Sequence, residues 1–108
     1  MFMKYVLAAA IVVTSTIAAL TQPVTRYQIR VLNDTSSPIV AIYARNLQTD
    51  QLYGNLLRSS VPVDGVTTVT LTDGTGSCFW RLQADFANGT ESRKNINVCN
   101  TTSWRVYD

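Results

Sequence analysis

The stretch CFWRLQADFANGTESRKNINVC, residues 78–99, decides the fold that this sequence predicts. Apolar and polar residues alternate over residues 78–86, as in a β-strand that is buried on one side. Asn88-Gly89 is a strong signal for a tight turn between antiparallel strands, so we predict a β-hairpin that returns over residues 92–98. The predicted core face of the first strand carries Trp80, Leu82, Ala84 and Phe86, and its outward face carries Phe79, Arg81, Gln83 and Asp85.

Two registers of this hairpin remain open. A two-residue turn would set Cys78 and Cys99 opposite each other, but it would place Trp80 opposite a polar asparagine. A three-residue loop, Ala87-Asn88-Gly89, places Trp80 opposite Ile96, which hydrophobic patterning favours. Both conditions are met if the return strand accommodates one extra residue as a β-bulge, and we expect such a bulge.

The N-terminal segment has the pattern of an export signal. Lys4 precedes an uncharged apolar run over residues 5–20, shorter than the roughly 20 residues that a helix needs to cross a bilayer. We expect cleavage after Ala18 or Ala19, with an uncleaved N-terminal anchor as the alternative. The predicted organisation is a signal peptide, residues 1–19, and one domain, residues 20–108. Such a protein would be periplasmic or secreted, with no stable membrane insertion after cleavage.

Cys78 and Cys99 are predicted to form a disulfide bond. An even number of cysteines in an exported chain indicates a disulfide, because the compartment is oxidising. Their separation of 21 positions differs from the close Cys-x-x-Cys spacing of redox-active pairs. Closing this loop would stabilise so small a domain by roughly 3 kcal/mol, through the lower entropy of the unfolded chain.

Further strands are predicted on both sides of the hairpin. Alternation places Tyr27, Ile29 and Val31 on one face of a first strand, and Trp104 and Val106 on the inner face of a last one. The predicted strands outside the hairpin cover residues 26–32, 39–45, 66–72 and 102–107, whereas residues 46–60 are predicted to be a long loop with room for one helical turn. The predicted fold is all-β, a small antiparallel β-sandwich or open barrel of about six strands with one disulfide.

Little in the composition points to catalysis. The chain has no histidine, which excludes Ser-His-Asp and Cys-His nucleophiles and imidazole metal sites. Asp73-Gly74-Thr75-Gly76 has the composition of a β-turn. Asp85 and Glu91 are expected on opposite pleat faces, as solvated charges. We therefore predict a protein that is not an enzyme, with no cofactor and no metal. A net charge of +2 is too small for a nucleic-acid-binding domain.

Several short motifs together resemble those of a group of small exported proteobacterial proteins, most of them uncharacterised. The motifs are Asn33-Asp34-Thr35, Tyr43-Ala44, Tyr53-Gly54-Asn55-Leu56-Leu57, Asp64-Gly65, Cys78-Phe79-Trp80, Phe86 to Gly89, and Asn97-Val98-Cys99. The resemblance covers residues 26–107. It implies an exported β-rich domain with no assigned activity.

Arginine and aromatic residues on the predicted outward faces are the candidates for binding. Such residues are enriched at the centres of protein interfaces. The candidate interaction face consists of Arg30, Phe79, Arg81, Arg105 and Tyr107. We predict a non-catalytic exported binding or scaffolding domain, which contacts an unknown protein or envelope component through a sheet face and the loop over residues 46–60. The alternative is a small periplasmic inhibitor or immunity-like protein that inserts a rigid loop into an enzyme cleft.

Overall fold

A computed structural model describes residues 26–108, which form seven β-strands and no helix. The strands are β1 (Tyr27–Asp34), β2 (Ile39–Asn46), β3 (Leu52–Tyr53), β4 (Val66–Leu71), β5 (Phe79–Phe86), β6 (Glu91–Asn97) and β7 (Ser103–Tyr107). The predicted signal peptide, residues 1–19, and its cleavage point lie outside the described residues. Over residues 26–108, the structure contains no helix long and apolar enough to span a membrane.

The strands form two sheets that share one hydrophobic core. The three-stranded sheet has the order β4-β1-β7, and the four-stranded sheet has the order β3-β2-β5-β6. Inward residues of both sheets meet in the core, among them Val31 of the first and Leu82 of the second. Trp80 and Trp104 retain only 1% and 4% of their exposure, so the predicted core positions are confirmed. The predicted all-β class of an open two-sheet domain with one disulfide is confirmed as well.

Two features of the topology differ from the prediction. The short strand β3 forms within residues 46–60, where a loop was predicted, and it pairs with β2 through Ala44 and Arg45. The strands β1 and β7 are parallel, so the three-stranded sheet is mixed. A parallel pair needs a long connection, and here the connection between β1 and β7 includes the whole four-stranded sheet.

The hairpin of β5 and β6 adopts the three-residue loop. Trp80 lies opposite Ile96, as hydrophobic patterning favoured. The Phe86 amide donates to the Thr90 carbonyl at 2.9 Å, and Gly89 has a φ of 89°. Glycine adopts this left-handed conformation without a steric penalty, and a three-residue hairpin loop requires such a residue.

The disulfide between Cys78 and Cys99 is present, with the two Cα atoms 5.2 Å apart. The prediction of a bulge on the return strand is wrong, because β6 pairs with β5 without a register shift as far as Asn97. A turn after the strand accommodates the extra residue instead, and in it the Cys99 amide donates to Asn97 Oδ1 at 3.0 Å. The structure has a bulge in β2, where the register shifts between Ile39 and Ala41.

Asn33 is a buried polar residue that joins separate segments of the chain. Its Nδ2 donates to the carbonyl oxygens of Ser37 at 3.0 Å, Val61 at 3.1 Å and Pro62 at 3.2 Å. Its Oδ1 accepts from the Thr35 hydroxyl at 2.7 Å. The side chain therefore connects the β1–β2 turn to the segment before β4, and its hydrogen bonds offset the penalty of burying an amide.

The segment after β3 covers the edge of β2. Asn55 Oδ1 accepts from the Ile42 amide at 3.0 Å, and the Leu56 amide donates to the Ile42 carbonyl at 2.8 Å. Leu56 and Leu57 pack against the core. Residues 52–57, which are β3 and this segment, together satisfy backbone groups that would otherwise be unpaired at a sheet edge.

Candidate interaction face

The outward side of the four-stranded sheet carries two neighbouring arginines, one on β2 and one on β5. Arg45 of β2 pairs with Arg81 of β5, which pairs with Asn95 of β6. An open groove of about 500 Å³ lies on this side. We call this surface the arginine face and define it by Tyr43, Arg45, Leu47, Leu52, Phe79, Arg81, Gln83, Asp85 and Arg93.

Two of these arginines have carboxylate partners within the domain. Arg45 forms an ion pair with Asp50 at 2.8 Å, and Arg93 forms one with Glu91 at 2.7 Å. The Nε of Arg93 also donates to Gln83 Oε1 at 3.0 Å. The charge of both guanidinium groups is therefore partly compensated before any partner binds.

Arg81 has a neutral partner instead. Its Nε donates to Asn95 Oδ1 at 2.9 Å, and within residues 26–108 no carboxylate lies at ion-pair distance from it. Arginine offers five N–H donors, of which this contact uses one. The Arg81 guanidinium is thus a positive charge at the centre of the face, available to an external acceptor.

Exposed apolar side chains lie beside the arginines and at the end of the face next to the disulfide. Phe79 is 51% exposed and Leu52 is 55% exposed. The Leu47 amide donates to the Phe79 carbonyl at 2.9 Å, which extends the pairing of β2 and β5 and brings the two residues together. Exposed apolar groups beside arginines are the composition found at the centres of protein interfaces.

Two carboxylates lie at the opposite end of the face, near the hairpin loop. Asp85 and Glu91 are directly opposite each other, so their expected placement on different pleat faces is wrong. The reason is the three-residue loop, which sets the register that pairs them. Gln83 Nε2 donates to Asp85 Oδ1 at 2.8 Å and to Glu91 Oε2 at 3.2 Å. The face therefore runs from an acidic end at the hairpin to a cationic and apolar end at the disulfide.

The structure divides the predicted interaction residues between two surfaces. Phe79 and Arg81 lie on the arginine face, whereas Arg30, Arg105 and Tyr107 lie on the outward side of the three-stranded sheet. Because the two sheets enclose the core, these sides point in opposite directions. The five residues of the candidate interaction face therefore do not share one side of the domain, although all five are exposed as expected.

A second polar cluster surrounds Asp73 in the loop before β5. Asp73 Oδ2 accepts from Asn46 Nδ2 at 2.8 Å and from the Tyr53 hydroxyl at 3.2 Å. Its Oδ1 accepts from the Thr75 hydroxyl at 2.7 Å and the Thr75 amide at 3.1 Å. A pocket of about 130 Å³ adjoins the cluster and is lined partly by Trp80.

The hydrogen bonds of this cluster change the acidity of its members. Burial raises the pKa of Asp73, but hydrogen bonds from Thr75, Asn46 and Tyr53 outweigh that effect, so its pKa lies below the ordinary 3.8. Burial raises the pKa of the Tyr53 hydroxyl, and the hydrogen bond to Asp73 and the negative charge of Asp73 raise it further. The carboxylate has about four accepting positions, and residues of this chain use four, so the cluster holds the loop in place.

The role of Asn46 was missed in the sequence. Asn46 is fully buried, and its Oδ1 also accepts from the Gln48 amide at 2.9 Å. The available signal was its position, since Ile42, Ala44 and Asn46 alternate on the inward face of β2. A polar residue at an inward position needs hydrogen-bond partners, and here the predicted turn at Asp73 supplies them. Over residues 26–108, no three acidic or cysteine side chains are grouped so as to hold a metal ion.

Comparisons with known proteins add one distant structural similarity. No protein-family model and no curated protein sequence matches the chain. The fold is similar to that of a protein from Eubacterium rectale whose structure was determined by NMR, with a TM-score of 0.48 and 12% sequence identity. The match covers 76% of this chain and 75% of the other.

Proposed function

We propose that this chain is an exported, non-catalytic binding domain, which contacts a protein partner through the arginine face. The observation that carries the proposal is the Arg81 guanidinium, which has no carboxylate partner in the described part of the chain and lies beside the exposed ring of Phe79. A partner that covers both residues gains apolar burial from the ring and charge-assisted hydrogen bonds to the guanidinium.

The shape of the face supports a protein partner. The groove is open and lies along a sheet, so it suits an extended surface better than an enclosed small molecule. Ion pairs with Asp50 and Glu91 partly compensate two of its arginines, so the face lacks the dense positive charge that binds a nucleic-acid backbone. The inhibitor alternative requires a projecting loop, whereas residues 52–57 lie along β2 and pack on the core.

Export is supported by the disulfide, which is consistent with an oxidising compartment outside the cytoplasm. The N-terminal pattern and the resemblance to small exported proteobacterial proteins point the same way. Intact mass of the protein isolated from the cell envelope tests this part of the proposal. We expect a mass that lacks residues 1–18 or 1–19, and a full-length mass in the membrane fraction would contradict it.

Paired variants on the two outward sides test the binding surface. The oxidised protein is used as bait in envelope extract, alongside the double variants Phe79→Ala/Arg81→Ala and Arg105→Ala/Tyr107→Ala. We expect the first variant to lose the captured partner and the second to retain it, with both unfolding at the urea concentration of the unmodified protein. Retention by the first variant, or loss by the second alone, would overturn the assignment to the arginine face.

A further inference from the structure

The strand β6 forms a free edge of the four-stranded sheet. It is the last strand in the sheet order, and no other strand of residues 26–108 pairs with its far side. The opposite edge is the two-residue strand β3, since β3 and Asn55 occupy the backbone groups of β2. A free edge presents unpaired N–H and C=O groups, onto which another extended chain can add.

The hydrogen-bond alternation identifies which groups of β6 are free. The Phe86 amide donates to the Thr90 carbonyl, and the Val98 amide donates to the Cys78 carbonyl, so both pairs are of the hydrogen-bonded type. In an antiparallel ladder this type recurs at every second residue. The backbone groups of Ser92, Lys94 and Ile96 therefore face β5, and those of Arg93 and Asn95 face away from the sheet.

Cationic side chains lie on both faces of the sheet along this edge, and Glu91 at its hairpin end is paired with one of them, Arg93. Arg93 lies on the arginine face, and Arg81 is held at Asn95 of the edge strand. Lys94 lies on the inner side, where it lines a cleft of about 150 Å³ together with Arg105. A chain that adds to β6 beyond Glu91 therefore lies close to Arg81 on one face and Lys94 on the other, and neither has a carboxylate at ion-pair distance among residues 26–108.

Charge decides between a second copy of this chain and a different partner. Two copies joined antiparallel along the whole of β6 would place Lys94 opposite its own counterpart, and like charges on adjacent strands are destabilising. An extended segment with acidic side chains would instead be attracted to these cations. Acidic residues on it would compensate the cations on both faces while its backbone completes the ladder.

We infer that β6 binds an acidic extended segment of the partner by β-strand addition, with its backbone paired to Arg93 and Asn95. The inference rests on the proposed function and specifies the chemistry of the partner. It extends the arginine face by one strand, so that acidic side chains of the added segment lie next to Asn95 and within reach of Arg81.

A short peptide of alternating Glu and Thr serves as the probe, with the Gln-for-Glu peptide as its control. Amide hydrogen exchange measured by NMR on the oxidised protein reports where the peptide pairs. We expect the Arg93 and Asn95 amides to exchange rapidly alone and to become protected with the acidic peptide, and affinity for the Gln peptide to be about tenfold lower. Protection on β4 or β7 instead, equal affinity for both peptides, or no protection at millimolar peptide would each overturn the inference.

Proline substitutions at two free edges provide the matched control. Asn95→Pro removes an N–H that faces away from β5, at an edge position where proline is tolerated. It also removes the side chain that accepts from Arg81, so Asn95→Ala, which keeps the N–H, is measured beside it. Ser103→Pro makes the same change at the first residue of β7, which is the edge strand of the other sheet. We expect Asn95→Pro to lower the affinity for the acidic peptide by about tenfold or more. Ser103→Pro should leave this affinity unchanged.

If Asn95→Pro does not fold, amide exchange on the unmodified protein still tests whether the acidic peptide pairs with β6. If the captured partner depends on Phe79 and Arg81 but protects no amide of β6, strand addition is wrong while the proposed function stands. If capture of the partner does not depend on Phe79 and Arg81 and the partner protects no amide of β6, both the proposed function and the strand addition are wrong.

Discussion

The two outward sides of this domain both carry arginines, but their surroundings differ. Arg105 forms an ion pair with Asp34 and lies over the ring of Tyr107, 5.4 Å from its centre. Arg81, on the opposite sheet, bonds the neutral side chain of Asn95. A partner that covers Arg105 must compete with an existing carboxylate, whereas one that covers Arg81 can supply the missing charge. The partners of an arginine, more than its exposure, indicate a binding surface.

The largest effect on the free energy of unfolding is expected for a substitution in the core between the two sheets. Trp80 is buried, contacts Tyr53 and donates its Nε1 to the Ser77 carbonyl at 2.9 Å. Trp80→Ala should lower the free energy of unfolding by about 3–5 kcal/mol, a large part of the total for a small domain. Urea denaturation measures the loss.

Fluorescence quenching provides a second test of the buried position. A Trp104→Phe variant leaves Trp80 as the remaining tryptophan, because the chain has 2. Weak quenching by iodide is expected in this variant. Strong quenching would show that the core and outward residues of β5 have been interchanged.

The disulfide should have the next largest effect, since it closes the end of the hairpin beside Phe79. Replacing Cys78 and Cys99 by serine should lower the free energy of unfolding by roughly 2–4 kcal/mol, because the unfolded chain regains loop entropy. Thermal unfolding of the oxidised and reduced protein measures it, with thiol titration as the control for the redox state. An unchanged midpoint on reduction would contradict the prediction.

Asp73→Asn should produce a smaller and pH-dependent effect. The pKa of Asp73 in the folded protein is lowered from 3.8, so its stabilisation is present above that pH and is lost as the pH falls through the lower folded-state value. At neutral pH we expect a loss of about 1–3 kcal/mol, because asparagine places a donor where the carboxylate accepts.

Urea denaturation at neutral and acidic pH tests the role of Asp73. The difference between the variant and the unmodified protein should narrow below pH 3.8, where the carboxylate of the unmodified protein takes up a proton. A difference that is constant with pH would show that the loss does not come from the charge of Asp73.

The smallest effect on stability is expected for the two arginines under comparison. Arg81→Ala and Arg105→Ala should each change the free energy of unfolding by about 0.5 kcal/mol or less, as for surface substitutions and exposed ion pairs. Binding should separate them, since only Arg81→Ala is expected to weaken partner capture. Equal weakening by both would remove the distinction between the two sides.

Alternation in the sequence was sufficient to separate core from surface residues. Trp80 and Arg81 are adjacent in the chain and point to opposite sides of the sheet, and period-two alternation predicts this without knowledge of the neighbouring strands. The three-residue hairpin loop could be predicted for a similar reason. It pairs Trp80 with Ile96, two apolar residues close in sequence that share one face.

Apart from the hairpin of β5 and β6, local patterns contained no information on which strands share a sheet. Arg81 and Arg105 are both outward residues of their strands, and they lie on different sides because β5 pairs with β2 whereas β7 pairs with β1. The parallel direction of β7 also depends on its distant partner. Such pairings join segments that are far apart in the chain, and outward positions look alike in every strand.

Residue types and their alternation were enough to establish an all-β domain, its buried tryptophans and the pairing of its two cysteines, since these depend on neighbours in the chain or on the only available partner. The tertiary structure alone decided that Arg81 lacks a carboxylate among residues 26–108 while Arg105 has Asp34. Asp34 lies 71 positions from Arg105 and reaches it only because β1 and β7 are parallel neighbours. Charge compensation between strands is set by long-range pairing, which local periodicity cannot encode.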